Sequence, residues 1–190
     1  MAFSDLRYLL LLGIVVLIVH AMPRGAPRLL TTAFISLAFY ISLNPRTWYV
    51  LVGVAASAYF AGLVLSRFPE GRARRWLFAG LLIATLLPLL IFKYAATAYH
   101  LLPPAGDLAV RWSTMADLVL PIGISFYSFL AVGYVIDVFV GSVPAERNLI
   151  RFGAVMFFFP HLTAGPIERA RHLLPPLKNI GEFDYDRAVS

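Results

Sequence analysis

The chain has 190 residues, of which 60% are apolar and 14% are charged. Soluble domains average about 45–50% apolar and about 25% charged residues, so this composition excludes a water-soluble globular fold and a disordered chain. The sequence contains no cysteine, which excludes disulfides, cysteine-ligated metals and thiol nucleophiles. The formal net charge is +6. Because the basic residues lie between apolar stretches, we assign them to membrane topology and anionic lipid headgroups rather than to nucleic acid.

Six apolar stretches follow one another along the chain. They cover roughly residues 6–22, 29–43, 48–65, 76–99, 118–140 and 149–164. A membrane-spanning helix needs about 20 mostly apolar residues, and the third, fourth and fifth stretches provide them. The second and sixth are short, so a tilted crossing and a re-entrant segment shielded by protein both stay open. None of the stretches alternates as barrel strands do, so the predicted fold class is an all-α, polytopic transmembrane helical bundle with about four to six spans.

The first apolar stretch is either a cleaved signal peptide or a retained helix. Val19 and Ala21 suit a cleavage site before Met22. Asp5 offsets the charge of Arg7, however, so the positive leader typical of a signal peptide is missing. We therefore expect a retained helix.

Arginines in the loops predict the orientation, because basic loops favour the cytoplasmic side of a membrane. With six spans, one side holds Arg24, Arg28, Arg67, Arg72, Arg74, Arg75, Arg147 and Arg151. The other side holds Arg7, Arg46 and Arg111 before the tail. The first set is therefore predicted to be cytoplasmic, with the N-terminus outside. Residues 1–165 form the predicted transmembrane region, and residues 166–190 form an interfacial, mixed-charge tail.

The sixth stretch carries the densest group of candidate site residues. Pro160 is expected to kink or break the segment, and Gly165 with Pro166 is expected to end it in a turn. A broken helix at membrane depth is tolerated where it faces protein or a cavity. We therefore expect His161 beside a cavity, with a purely structural, hydrogen-bonded histidine as the alternative.

Small residues near the start of the fifth stretch form a second candidate site. Pro121 suits an early helical position, where its missing N–H costs little. Gly123 and Ser125 are small enough for a neighbouring helix or a ligand to approach the backbone closely. Helix packing and the lining of a substrate tunnel are both open here.

Two charged residues lie inside or near the ends of apolar stretches. A carboxylate at mid-bilayer costs at least about 2.5–3.5 kcal/mol, so Asp137 should face protein or water. Arg147 or Arg151 is a candidate partner across the following loop; a structural ion pair or helix cap and a functional carboxylate both stay open. Lys93 either extends its ammonium group to the membrane interface or holds an anionic group. No two histidines have metal-ligand spacing, and no nucleophile elbow or phosphate-binding glycine loop is present in the sequence. The residues by themselves therefore predict no metal site and no catalytic residue.

Four sequence blocks, in this order and spacing, resemble the membrane-bound O-acyltransferase family, and within it the alginate O-acetyltransferase-like branch. They are LPIGISFYSF at 120–129, YVIDV at 134–138, RNL at 147–149 and FFPHLTAGPI at 158–167. Phe92, Lys93 and Tyr94 after a long apolar helix match the same branch.

The resemblance implies a helical ring around a tunnel through the membrane. It implies transfer of an acyl group, expected to be acetyl, from a cytoplasmic donor to hydroxyls of an exopolysaccharide or cell-wall polymer. The donor is expected to be acetyl-CoA or an acyl carrier, with no tightly bound cofactor. A periplasmic or extracellular acetylation protein is the expected partner. The implied general base is a tunnel histidine that takes the proton of the attacking hydroxyl.

One departure from the family is large. The family's chains are usually more than twice as long, and their catalytic histidine lies in a C-terminal segment that has no counterpart here. We therefore assign no catalytic residue, and we expect this chain to be the N-terminal fragment of such a protein, lacking its C-terminal half. His161 matches a family position near the tunnel. The alternative function is that of a non-catalytic membrane scaffold or a transporter-like subunit.

Overall fold

The computed structural model describes residues 25–43, 45–101 and 120–158, together with Ala21 and Pro23. For residues 95–101 it describes the backbone only. Within these ranges all regular secondary structure is helical, and there is no strand. The helices are α1 (Ala26–Leu43), α2 (Trp48–Arg67), α3 (Arg72–Leu101), α4 (Ile124–Val140) and α5 (Leu149–Met156). This confirms the predicted all-α fold class. The first apolar stretch and the tail lie outside the described residues.

Three of the described helices are long and apolar enough to cross a membrane: α1, α2 and the Arg72–Tyr94 part of α3. The second apolar stretch therefore forms a helix of spanning length, with 18 residues. α4 is apolar and has 17 residues, which corresponds to about 26 Å at a rise of about 1.5 Å per residue. α5 has eight residues, or about 12 Å, well short of a hydrocarbon core of about 30 Å.

α2 is the central helix of the described bundle. In the apolar 18-residue segment of α2, 44% of the residues are buried inside the bundle, against 17% in that of α1 and 11% in that of α3. α1 and α3 instead present large apolar side chains outward, among them Phe34 and Trp76, which are 74% and 76% exposed. Patches of this kind are rare on soluble monomers. They are the surface expected of helices that face lipid.

The contact between α2 and α4 depends on a glycine. The ring of Tyr134 lies so close to Gly62 that a Cβ atom at position 62 would come within 2.6 Å of the tyrosine hydroxyl oxygen. Small residues allow this kind of close approach between membrane helices. The fully buried alanines Ala58 and Ala61 lie on the same helix. α2 and α4 can therefore pack tightly without polar contacts along most of their length.

The start of α4 differs from the prediction. The helix begins at Ile124, and Pro121 lies before it rather than in its first turn. Gly123 has a φ of 73°, in the left-handed region, which favours glycine and breaks the helix at that residue. The Tyr40 hydroxyl, from the last turn of α1, donates a hydrogen bond of 2.9 Å to the carbonyl oxygen of Ile122. α1 therefore holds the turn that starts α4.

α4 ends in a second left-handed glycine. Gly141 has a φ of 82° and donates its N–H to the carbonyl oxygen of Val138. The carbonyl oxygen of Asp137 accepts the N–H groups of Ser142 and Val143, at 2.9 and 3.3 Å. These bonds satisfy the last carbonyls of the helix, in the manner of helices that end at glycine. The chain then runs through an extended segment to α5.

We predict that Gly62→Ala lowers the free energy of unfolding by about 1–3 kcal/mol, because the added methyl group must displace the Tyr134 ring. Gly53 on the same helix is the matched control, since a Cβ atom there meets nothing within 4 Å. Gly53→Ala should be neutral or stabilising by up to about 1 kcal/mol. Thermal unfolding of the three proteins in detergent checks this. Equal stability of the two variants would contradict the close α2–α4 contact.

Candidate functional site at the arginine-rich end

One end of the bundle collects most of the described arginines. α2 ends at Arg67, and α3 begins five residues later. The side chain of Arg74 reaches the last turn of α4, with Nη2 at 3.5 Å from the carbonyl oxygen of Val138. We call this region the arginine-rich end and define it by Arg67, Arg72, Arg74, Arg75, Arg147 and Arg151. All six were predicted from the sequence to lie on one side of the membrane.

A buried ion pair lies in the segment between α4 and α5. Glu146 is 5% exposed. Its Oε1 accepts the backbone N–H of Asn148 at 2.9 Å, and both carboxylate oxygens lie 3.2 Å from Nη1 of Arg151. A buried carboxylate is costly unless it is paired and hydrogen-bonded, and here it is both. Glu146 was not among the predicted site residues, because a glutamate in a polar loop is usually exposed to solvent.

Two tyrosines hold this segment against the helices. The hydroxyl of Tyr134 accepts the backbone N–H of Glu146 at 3.0 Å. The hydroxyl of Tyr59, on α2, donates to the backbone carbonyl of Arg147 at 2.8 Å. The ring of Phe152 on α5 packs against both tyrosines, with ring centroids 4.9 Å from Tyr134 and 5.3 Å from Tyr59. Residues from α2, α4 and α5 therefore fix the backbone at positions 146 and 147.

Asn148 begins α5. Its side-chain oxygen accepts the N–H groups of Ile150 and Arg151 at 3.0 and 3.1 Å. This is the usual arrangement of an N-capping asparagine, which satisfies N–H groups that have no partner within the helix. Within the RNL block, Asn148 therefore caps the helix that begins at Leu149, whereas the Arg147 side chain is exposed.

The proposed pairing of Asp137 was wrong. Arg151 forms its ion pair with Glu146 instead. Glu146 lies two residues before the capping Asn148, so its carboxylate is next to the first turn of α5, where Arg151 is located. Asp137 is 3% exposed, and its Oδ2 has no hydrogen-bond partner among the residues that the structure describes. Arg147 shares the same end of the bundle, but it forms no ion pair with Asp137 there.

An aromatic contact joins α3 to α4 at the same end. The rings of Phe78 and Phe139 stack with centroids 4.0 Å apart and an interplanar angle of 14°. The guanidinium carbon of Arg74 lies 4.9 Å from the centroid of Phe139, within the range of a cation–π interaction. Arg74 therefore has a structural role in joining the two helices.

The other predicted site residues are not brought together with this group. Gly123 and Ser125 lie at the opposite end of α4. Lys93 lies on α3 about 30 Å from Arg72 along the helix; its side chain is exposed, and its Nζ is 5.8 Å from the centroid of the Tyr94 ring. Pro160, His161, Gly165 and Pro166 lie outside the described residues, so their grouping around a tunnel stays a prediction. Among the described residues, no group of three histidine or acidic side chains could hold a metal ion.

Known proteins similar to this chain share one chemistry in their names. A protein named probable alginate O-acetylase AlgI from Pseudomonas aeruginosa is 33% identical over 177 residues, covering 92% of this chain and 34% of the relative. The protein of the same name from Pseudomonas putida is 33% identical over 182 residues, covering 94% of this chain and 37% of the relative. The peptidoglycan O-acetyltransferase of Helicobacter pylori is 27% identical over 172 residues, covering 76% of this chain and 31% of the relative.

These similarities cover most of this chain, including most of the described helices. They confirm the resemblance, predicted from the four sequence blocks, of this chain to the alginate O-acetyltransferase-like branch of the membrane-bound O-acyltransferase family. The chain spans about one third of the length of these relatives. No protein-family profile matches it, and no solved structure does.

We predict that Glu146→Gln and Arg151→Met each lower the free energy of unfolding by about 1–3 kcal/mol, because each leaves a partly buried charge without its partner. The double variant should cost less than the sum of the two, with a coupling of about 0.5–3 kcal/mol. Glu70→Gln is the control: Glu70 is exposed and forms no ion pair among the described side chains, so about 0.5 kcal/mol or less is expected. Additive single effects in a double-mutant cycle would contradict the ion pair.

Proposed function

We propose that this chain is part of a membrane enzyme that transfers an acyl group, acetyl in the first instance, to hydroxyls of an extracellular polysaccharide. The observation that carries the proposal is the similarity to two proteins named alginate O-acetylase over more than nine tenths of this chain. The relative named peptidoglycan O-acetyltransferase widens the acceptor class to cell-wall polymers. The competing function, a non-catalytic scaffold or a transporter-like subunit, has no such similarity in its favour.

In the proposed reaction the acceptor hydroxyl attacks the acyl carbonyl carbon, forming the new ester bond. The bond between that carbon and the sulfur of an acetyl-CoA or acyl-carrier donor breaks, and a general base takes the hydroxyl proton. The resemblance implies a tunnel histidine as this base, and we assign that role to none of the histidines of this chain. In this proposal α1 to α4 form part of the membrane-embedded helical bundle of the enzyme. The Glu146–Arg151 ion pair stabilises the segment between α4 and α5 at one end of that bundle.

The chemistry requires that donor and acceptor meet from opposite sides of a bilayer. We place the arginine-rich end in the cytoplasm of a bacterial cell, with the protein in the inner membrane and the N-terminus outside. The clustering of six arginines at one end of the bundle supports this orientation, because basic residues favour the cytoplasmic side. The acetylation partner and the polysaccharide would then act at the opposite end.

His161 provides a direct test of the enzymatic proposal. In the full-length protein, expressed with its acetylation partner, His161→Ala should reduce acetyl transfer to the polysaccharide by at least about tenfold if the imidazole lines the reaction path, since one positioned polar group contributes about this much or more. His172→Ala in the tail is the control and should retain activity. Membrane insertion should be normal in both. Full turnover by His161→Ala would assign that residue a structural role, and no transfer by the wild-type protein would contradict the proposed function.

The orientation is testable by cysteine labelling, because the chain has no native cysteine. We expect a membrane-impermeant maleimide to label Pro45→Cys, in the exposed α1–α2 turn, in intact spheroplasts. Gly71→Cys, in the exposed turn before α3 where an added Cβ meets nothing, should react after permeabilisation and not before. The opposite pattern would place the arginine-rich end outside the cell.

A further inference from the structure

A cavity of about 450 Å³ opens at the arginine-rich end. Its lining consists of Tyr59, Leu63, Ser66, Arg67 and Arg147. Ligand-binding cavities of proteins are usually about 300–1,000 Å³, so this volume is sufficient for a small polar group. We call it the two-arginine cavity.

The two-arginine cavity has a net positive lining. Two of its five residues carry a guanidinium group, and none carries a carboxylate. In the part of the chain that the structure describes, neither Arg67 nor Arg147 forms an ion pair, because the neighbouring carboxylate of Glu146 is bonded to Arg151. Glu70 lines a separate cavity with Arg74 and Arg75. The charge in the two-arginine cavity is therefore not neutralised by the described residues.

The lining is also positioned to bind an anion. Tyr59 donates its hydroxyl proton to the backbone carbonyl of Arg147, which fixes the main chain from which that guanidinium extends. The Ser66 hydroxyl donates to the carbonyl oxygen of Leu63 at 2.8 Å. Because both hydroxyl protons already have acceptors, the donors left for a ligand are the N–H groups of the two arginines.

We infer that the two-arginine cavity binds a phosphate group through Arg67 and Arg147. Guanidinium groups bind phosphate through two parallel hydrogen bonds, and arginine is the side chain best suited to this geometry. Basic pockets between transmembrane helices near a membrane surface typically bind lipid phosphates. Two sources carry the same chemistry: the headgroup of an anionic phospholipid and the phosphates of a coenzyme A donor. The inference goes beyond the proposed function, because a phospholipid would occupy the cavity whether or not the protein transfers acyl groups.

Binding to the purified chain in a maltoside detergent tests this inference. The probes are dihexanoyl phosphatidylglycerol and coenzyme A, titrated separately and followed by thermophoresis, with dihexanoyl glycerol as the lipid lacking phosphate. We expect Arg67→Gln/Arg147→Gln to weaken binding of at least one phosphate probe about tenfold or more, because two charge-assisted hydrogen-bonding groups are lost. Arg67→Lys/Arg147→Lys, which keeps the charge and loses the planar fork, should give a smaller loss. A loss for phosphatidylglycerol identifies the lipid as the source, and a loss for coenzyme A identifies the donor.

The charge-matched control is Arg72→Gln/Arg75→Gln, which removes two exposed arginines from the same end of the bundle without altering the cavity lining. It should bind both probes as the wild-type chain does. Unfolding temperatures measured without ligand establish that the variants are folded; all four substituted arginines are exposed, so little change is expected. Equal weakening in the two glutamine pairs, or no preference of the wild-type chain for either phosphate probe over dihexanoyl glycerol, would overturn the inference.

Discussion

Tyr134 is the residue on which the described bundle most depends. Its ring lies directly on α2, where Gly62 leaves no side chain in the way. Its hydroxyl accepts the backbone N–H of Glu146, in the segment that follows α4. One side chain therefore contacts a neighbouring membrane helix and also holds the backbone of the segment that follows α4. Because protein interiors are close-packed, a change at either contact of Tyr134 is transmitted to the other.

Glu146 can be buried in the otherwise largely exposed segment between α4 and α5 because its carboxylate has partners. The Glu146 carboxylate accepts hydrogen bonds from the Arg151 guanidinium and from the backbone N–H of Asn148. The side-chain oxygen of Asn148 accepts two N–H groups of the first turn of α5. Networks of this kind are stable when every member is satisfied and costly when one is missing. The bundle thus has a hydrogen-bonded polar rim at the arginine-rich end. Elsewhere the described helices pack mainly through apolar side chains, with the hydrogen bond from Tyr40 to Ile122 as a polar contact at the opposite end of α4. A hydrogen-bonded rim suits a region that must hold its shape beside a membrane surface.

The hydropathy pattern predicted the parts of the fold that depend on composition alone. Apolar length predicted α2 and α3 as spanning helices, because backbone groups in lipid must pair within a helix. It left open whether the second stretch, which forms α1, crosses the membrane. The start of α4 was not predictable in this way. It is set by the left-handed Gly123 and by the hydrogen bond from Tyr40, and that contact joins residues 82 positions apart. Local pattern carries no information on such a contact.

The candidate site was less predictable than the fold. The RNL block drew attention to Arg147, yet the buried carboxylate is its neighbour Glu146, whose burial depends on Tyr134 and Arg151 from two other elements. One signal was present in the sequence: an acidic residue two positions before an asparagine cap can bond the cap's own N–H. The predicted pairing of Asp137 with Arg147 or Arg151 was wrong because it rested on charge and on distance along the chain. The position of the first turn of α5, which brings Arg151 to Glu146, could not be predicted in that way.

The arginines at one end of the bundle differ in what neutralises them, and this separates structure from binding. Arg151 is paired with Glu146, and Arg74 packs over Phe139. Both are partly buried, as expected of residues that join elements of the fold. Arg67 and Arg147 are exposed and line a common cavity without a carboxylate. Positive-inside topology alone requires basic residues anywhere in a cytoplasmic loop; it does not require two of them to line one cavity whose hydroxyl protons are already donated elsewhere. That arrangement distinguishes a site for an anion from a general excess of positive charge.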